Sequence, residues 1–273
     1  MNATAFTIFG LEVQWYGIII TCAMVLAVML SMKSGKKQGF VEDDFLDISI
    51  VALPTAIIFA RAYYVLFNLS SYSSIWEMVN IRLGGLAIHG GLIGGVLGGV
   101  LVAKSKKMNV IKAMDTIAPF LALAQGIGRW GNFINQEAFG RETTLPWAIT
   151  VNGMKVHPTF LYESIWDVLI CALLYRKSQN KDYDGQITAH YMILYSLGRF
   201  FIEGLRTDSL MLGNLRAAQI VSIVMIVLGI LVILIRKDKG VGPAYLGIGK
   251  GRSNYSFAKQ LSESKNEKSK GGK

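Results

Sequence analysis

The feature that most constrains this chain is a series of apolar runs, each long enough to cross about 30 Å of hydrocarbon, with clustered lysine and arginine after every other run. The runs cover residues 15–32, 45–67, 86–103, 110–128, 158–175, 187–205 and 217–235. Inside hydrocarbon a chain must satisfy its backbone N–H and C=O groups internally, which a helix does within one segment. The expectation is therefore an all-α polytopic membrane protein with about seven transmembrane helices. Composition agrees: 52% of residues are hydrophobic, 17% are charged and the mean hydropathy is +0.41, where soluble domains carry charge nearer a quarter.

The basic residues set an orientation. Lys33, Lys36 and Lys37 follow the first run, Lys104, Lys106 and Lys107 the third, Arg176, Lys177 and Lys181 the fifth, and Arg236, Lys237 and Lys239 the seventh. The positive-inside rule makes these four clusters cytoplasmic, with the N-terminus outside and the C-terminus inside. The same distribution argues against nucleic acid as the partner of the net charge of +10 and for a membrane surface. The first run starts near Trp15 without a basic leader or small-residue cleavage site, so it reads as a retained helix. A seven-helix membrane domain is expected over residues 1–239. Residues 240–273, rich in Gly, Ser and Lys, read as a disordered cytoplasmic tail, either inert or touching anionic lipid. Cys22 and Cys171 each sit inside an apolar run, as packing residues do, and suggest neither a disulfide framework nor a metal site.

With that orientation, His89, Arg129, Glu137, Arg141, His157 and Arg206 fall at outer helix ends or in outer loops, so any chemistry is expected to face outward. In LGGLAIHGGLIGGVLGGV the glycines Gly90, Gly94 and Gly98 form one i, i+4 row and Gly91, Gly95 and Gly99 another, a pattern that lets a second helix approach closely. No phosphate-cradling glycine motif is present. His89 stands just before those rows. Its imidazole is either a structural hydrogen-bonding group or a proton acceptor near physiological pH.

In HYMILYSLGRFFIEGLR, Tyr195, Arg199 and Glu203 repeat every four residues and share one helical face. Arg199 lies roughly 10 Å below the outer end of its run, at 1.5 Å per residue. An ionisable group at that depth requires a polar environment, met either by a structural Arg199–Glu203 pair or by an anion site in an outward-opening cavity. Glu163 and Asp167, four apart, need a cation or proton between them; Arg61 is one available cation, and Arg61, Asp115, Glu163 and Asp167 read as internal braces. Arg129, in the stretch GRWGNFINQEAFGRET, supplies a second fork of donors suited to phosphate, with Gly126, Gly128 and Gly131 leaving room around it and Asn132, Asn135 and Gln136 adding neutral hydrogen-bonding groups. A phospholipid headgroup is the anion available at this depth.

That stretch resembles the signature of the bacterial phosphatidylglycerol-prolipoprotein diacylglyceryl transferases, Gly-Arg-x-Gly-Asn-Phe-x-Asn-x-Glu-x-x-Gly. It matches at Gly128, Arg129, Gly131, Asn132, Phe133, Asn135, Glu137 and Gly140. Four further stretches agree in order: WYG at 15–17, IHGGLIGG at 88–95, HPTFLYE at 157–163, and the Tyr195, Arg199, Glu203 face. One departure is Phe160, where many relatives carry Gln. The resemblance covers residues 15–235 and excludes the tail.

The resemblance implies an enzyme of the bacterial cytoplasmic membrane, acting near its outer face, that moves the diacylglyceryl group of phosphatidylglycerol to the lipobox cysteine of a preprolipoprotein signal peptide. A thioether forms and glycerol 1-phosphate leaves, with no cofactor and no metal. It also implies roles. His89 would accept the thiol proton, and Arg129 and Arg199 would hold phosphate, Arg199 also stabilising the leaving group. Glu203 and Tyr195 would orient Arg199, Glu137 would orient Arg129 or the headgroup, and Tyr16, Asn132 and Gly140 would line the lipid pocket. Arg141 and Glu142, just beyond the signature, have no assigned part. A transporter or channel, and a lipid-binding scaffold without turnover, are the rival classes.

Overall fold

The computed structural model describes residues 3–8, 10–81, 84–213 and 215–238; the expected tail at 240–273 lies outside them. Helices dominate. The long ones are α1 (Trp15–Lys37), α2 (Asp44–Phe67), α4 (Ile88–Ser105), α5 (Val110–Asn135), α6 (Thr159–Ser178), α7 (Gln186–Glu203) and α8 (Ala217–Asp238), with the single-turn α3 (Ile75–Val79) between α2 and α4. Each apolar run of the sequence falls on one of the long helices. Among the described residues there are three two-stranded hairpins: β1 (Thr4–Ile8) with β2 (Leu11–Gln14) ahead of α1, β3 (Ile149–Val151) with β4 (Met154–Val156) between α5 and α6, and β5 (Met211–Leu212) with β6 (Leu215–Arg216) between α7 and α8. These hairpins are too short to show as alternation in the sequence.

Among the described residues five helices are long and apolar enough to cross a membrane: α1, α2, α4, α5 and α8. The protein is a predominantly helical, multi-pass membrane protein. Its large apolar side chains remain exposed along these helices, as with Ile50, Ile58 and Leu66 on α2 and Leu92, Val96 and Leu101 on α4, the surface expected of a helix whose solvent is lipid. α6 and α7 stand outside that group because they carry Glu163, Asp167, Arg176 and Lys177, and His190, Arg199 and Glu203.

Contacts divide the described residues into two compact units, 3–31 with 114–238 and 32–113. In the smaller unit α2 and α4 pack through the glycine rows. A Cβ on Gly90 would come within 2.3 Å of the Phe59 carbonyl oxygen, and one on Gly94 within 2.4 Å of the Thr55 carbonyl oxygen. The second row, Gly91, Gly95 and Gly99, meets Ala56, Ala60 and Ile48 at ordinary contact distances. The close approach lets the Thr55 hydroxyl donate across the interface to the Gly94 carbonyl at 3.0 Å. Small residues work here because lipid tails are as apolar as any side chain, so close packing and polar contacts must supply the attraction. At the end of α4, Lys106 is paired with Asp47 and, at 3.0 Å, with Asp44, and hydrogen bonding to Asp47 holds its ammonium above the ordinary lysine range.

In the larger unit the core lies among α5, α6 and α7, where Ala118 and Ala122 face Ile170, Leu174 and Ile187 with Trp166, Tyr191 and Tyr195 packed around them. Asp115 serves as the N-cap of α7 from another helix. Its carboxylate accepts from the backbone N–H groups of Gly185 at 2.8 Å and Thr188 at 2.9 Å, from the Thr188 hydroxyl at 2.8 Å and from Lys181 at 3.0 Å. Donors left unpaired at a helix start are thereby satisfied, and α7 is held in register with α5. Trp166 does the same between α6 and α7: its indole N–H donates to the Leu194 carbonyl at 2.9 Å, and its ring occupies the space a side chain on Gly198 would need.

Gly94→Val is expected to destabilise the detergent-solubilised protein by about 1–3 kcal/mol, the usual cost of overpacking. A thermal melt against wild type checks it, with Gly99→Ala, whose added methyl meets only ordinary contact, as the near-neutral control.

Candidate functional site

The strongest concentration of charge in the larger unit lies where α5, α6 and α7 meet, and Glu163 is its centre. Spacing of four brings Tyr195, Arg199 and Glu203 onto one face of α7, and Glu163 and Asp167 onto one face of α6. Arg199 Nη1 donates to both oxygens of Glu163, at 3.0 and 2.9 Å, while its Nη2 pairs with Glu203 at 2.7 Å. From α5, Arg129 Nη2 reaches Glu163 Oε2 at 2.7 Å. Arg206, one turn past α7, stands 4.0 Å from Glu163 and 3.9 Å from Glu203. Asp167 and Tyr195 also act on Arg129. Glu163 and Glu203 are buried, and the two arginine side chains are about one-fifth exposed.

Arg206 is itself held by a fork: its Nε and Nη2 donate to the two Asp208 oxygens at 3.0 and 2.8 Å. Burial would raise the Asp208 carboxyl, but the Arg206 hydrogen bonds outweigh it and hold the group below the usual aspartate range.

The signature stretch forms the adjoining wall. α5 continues through Asn135, seven residues beyond the apolar run, so Arg129 and Asn132 project from regular helix. Gly131 faces Tyr16, whose ring comes within 2.3 Å of where a Cβ would stand. After the helix the chain turns through Gln136 and Ala138, both in the left-handed region at φ 53° and 57°. Glu137 folds back there. Its carboxylate accepts from Asn132 Nδ2 at 2.9 Å and Asn135 Nδ2 at 3.4 Å, so among the described residues its partners are the two asparagines, and the carboxylate on Arg129 is Glu163. Phe160 stacks on Phe133 with ring centroids 4.6 Å apart, and Asn132, Glu137 and Phe139 border a shallow recess with them.

Gly140 marks a crossing of backbones. Its N–H donates to the His157 carbonyl at 3.0 Å, it bridges to Arg206, and a Cβ would lie 2.7 Å from the His157 Cβ. Arg141 N–H donates to the Leu205 carbonyl at 2.8 Å, the Arg141 carbonyl accepts from His157 N–H at 3.1 Å, and Glu142 bridges to Val156. Arg141, which the signature left unassigned, thus ties the segment after α7 to the segment before α6 by main-chain bonds, and Glu142 sits between that residue and Thr143, whose N–H donates to the Lys155 carbonyl at 2.9 Å. His157 Nδ1 lies 3.2 Å from the Tyr162 hydroxyl, which accepts from Trp147 Nε1 at 2.8 Å.

Arg129, Tyr195, Arg199 and Glu203 are therefore gathered in one cluster, with Asn132 and Glu137 in a hydrogen-bonded group beside Arg129's helix end, Tyr16 against Gly131, and Gly140 at the crossing. His89 belongs to the other unit. It is exposed in the first turn of α4, its ring centroid 6.0 Å from that of Tyr63. Arg61, considered above as a counter-ion for Glu163 and Asp167, instead donates to the carbonyls of Glu77 at 2.7 Å, Met78 at 2.8 Å and Gly85 at 3.1 Å, and to that of Gly84. Glu163 and Arg206 are the members of the cluster that sequence reasoning did not place in a site. The signal was present in part, since a buried Glu163–Asp167 pair demands a cation, but helix spacing does not extend from one helix to the next. Among the described residues no three His, Cys, Asp or Glu side chains form a metal-binding group.

Gly131→Ala is expected to displace the Tyr16 ring and lower stability by about 1–3 kcal/mol, whereas Gly17→Ala, with open space around it, leaves the melting temperature unchanged or slightly raised. Paired thermal melts distinguish the two.

Residues 3–235 match the family model described as prolipoprotein diacylglyceryl transferase. A phosphatidylglycerol–prolipoprotein diacylglyceryl transferase of Clostridioides difficile (strain 630) is 54% identical over 244 residues, covering 88% of this chain and 98% of that protein. The protein of the same name from Finegoldia magna is 51% identical, covering 85% of this chain and 94% of its own length, and one from Bacillus mycoides is 46% identical, covering 84% and 89%.

Proposed function

Because this chain belongs to the prolipoprotein diacylglyceryl transferase family, we propose that it works as that enzyme, taking the diacylglyceryl group from phosphatidylglycerol and placing it on the lipobox cysteine thiol of a preprolipoprotein. It is a transferase of lipoprotein biosynthesis. The observation that carries the finer reading is the convergence of Arg129 and Arg199 from two helices on one buried point.

The chemistry requires a thiolate and a stabilised leaving group. A cysteine thiol of pKa about 8.5 is a weak nucleophile until its proton is removed. The thiolate sulfur then attacks the glyceryl carbon, a C–S bond forms, the C–O bond to phosphate breaks, and glycerol 1-phosphate departs with the bonding pair. Negative charge grows on the phosphate oxygen as the bond breaks. Fixed guanidinium donors in a water-poor site stabilise that charge without reorganising. Arg129 and Arg199 have the chemistry for this, with Glu203 holding Arg199 by its second terminal nitrogen and Tyr195 beside Arg129. His89 takes the thiol proton in this reading, a role it inherits from the family pattern. Tyr16, Asn132, Glu137 and Gly140 shape the lipid-facing wall.

The spans complete the reading. α6 and α7 cross the membrane with the five more apolar helices, since their charged residues Glu163, Arg199 and Glu203 are paired with one another and with Arg129, which lowers the cost of placing them at depth. With seven spans the basic clusters lie on the cytoplasmic side, the N-terminus outside, and the arginine cluster toward the outer face of the bacterial cytoplasmic membrane.

Purified protein in detergent micelles containing labelled phosphatidylglycerol is expected to transfer labelled diacylglyceryl to a lipobox peptide carrying Cys but not to its Ser analogue. Lipid binding without transfer would favour a scaffold, and solute flux in liposomes a transporter. Arg129→Lys and Arg199→Lys should each lower kcat/KM by about a hundredfold or more while still inserting, since a point charge does not replace a bidentate fork. For the base, His89→Asn should lose most turnover between about pH 6 and 9; retained wild-type activity would remove it as the obligatory proton acceptor.

A further inference from the structure

We infer that Glu163 is a positioning residue for the transfer: its carboxylate is the shared counter-ion that keeps Arg129 and Arg199 converged before an anionic headgroup arrives. This rests on the transferase reading above. Two guanidinium groups aimed at one buried point repel unless an anion lies between them. Glu163 supplies that anion within the chain, with both oxygens on Arg199 Nη1 and one of them also on Arg129 Nη2 at 2.7 Å.

The three helices are also joined by contacts that do not involve Glu163. α5 and α6 are joined one residue away by Trp130 Nε1 donating to Ser164 Oγ at 3.1 Å, and they approach closely at Gly126, where a Cβ would lie 3.1 Å from the Asp167 Cβ. α6 and α7 are joined by Trp166 donating to the Leu194 carbonyl. Glu163 is thus flanked by bonds that set the helices' register without it. Its own carboxylate is spent wholly on the arginines.

The arrangement also ranks the two arginines. Arg199 engages carboxylates through both terminal nitrogens, Glu163 on one and Glu203 on the other, whereas Arg129 engages its carboxylate through Nη2 alone. An arriving phosphate therefore competes with Glu163 for both arginines and displaces fewer carboxylate contacts at Arg129 than at Arg199. Removing the Glu163 charge should have opposite effects on two quantities. The arginines would bind a free phosphate monoester more tightly, having lost their internal competitor, yet turnover would fall because nothing aligns them for the leaving group. A brace whose only role is structural does not tighten anion binding.

The experiment compares wild type, Glu163→Gln and Glu163→Asp in detergent, each checked for folding by thermal melt. Glycerol 1-phosphate affinity is read by calorimetry, and kcat and KM by transfer to a lipobox peptide. Glu163→Gln is expected to bind glycerol 1-phosphate about tenfold more tightly and to lose at least about tenfold in kcat, the scale of one charge-assisted contact. Glu163→Asp, which keeps the charge on a shorter arm, should return Kd to within about twofold of wild type and recover only part of kcat. Unchanged kcat in Glu163→Gln, or an unchanged or weaker Kd, overturns the inference. If Glu163→Gln does not fold, Glu163→Asp decides: a kcat equal to wild type overturns it. Absence of transfer by wild type would instead remove the transferase reading, and the Kd comparison would still judge the shared counter-ion.

Discussion

A carboxylate at 5% exposure inside an apolar helix bundle needs cations at hydrogen-bonding distance, and Glu163 draws them from two neighbouring helices. Much of the larger unit's arrangement answers that requirement. α7 must present Arg199 toward α6, which the Asp115 cap and the Trp166 anchor secure by setting the position of its first turn and its face. α5 must remain helical past its apolar run so that Arg129 arrives at the same depth. Breaking one partner of such a cluster leaves an uncompensated buried charge, which is far more costly than replacing the whole set.

The smaller unit follows a different rule. Its helices α2 and α4 carry few charges at their contact, so association rests on the absence of side chains at Gly90, Gly94 and Gly98 and on one hydroxyl-to-carbonyl bond across the gap. Both solutions belong to the same solvent. Where water cannot drive association, helices adhere through close packing or through polar groups that find better partners in each other than in lipid.

Under the proposed function, reactivity and stability draw on the same residues in the larger unit. The guanidinium groups of Arg129 and Arg199 are held by the Glu163 and Glu203 carboxylates, and under the proposed reading a phosphate would compete with those carboxylates for them. The loop after α5 contributes through its main chain: the left-handed turns at Gln136 and Ala138 and the crossing at Gly140 bring the segments before α6 and after α7 together, which carries Arg206 and Asp208 to the edge of the cluster. Arg141, polar and uninterpretable by type, acts there through backbone bonds that any residue with an N–H could make.

From sequence alone, the long helices were legible as apolar runs, the glycine rows as a packing surface, and the Tyr195, Arg199, Glu203 face as one stripe, because each depends on spacing within a single helix. The family signature pointed to Arg129 and its neighbours. The partnership of Arg129 with Glu163 rather than Glu137, the placement of Arg61 on backbone carbonyls, and the backbone work of Arg141 were decided by tertiary structure. The physical reason is range. Periodicity of 3.6 residues governs which side chains share a face, but a salt bridge forms within about 4 Å, and which helices come that close is set by packing among segments far apart in the chain.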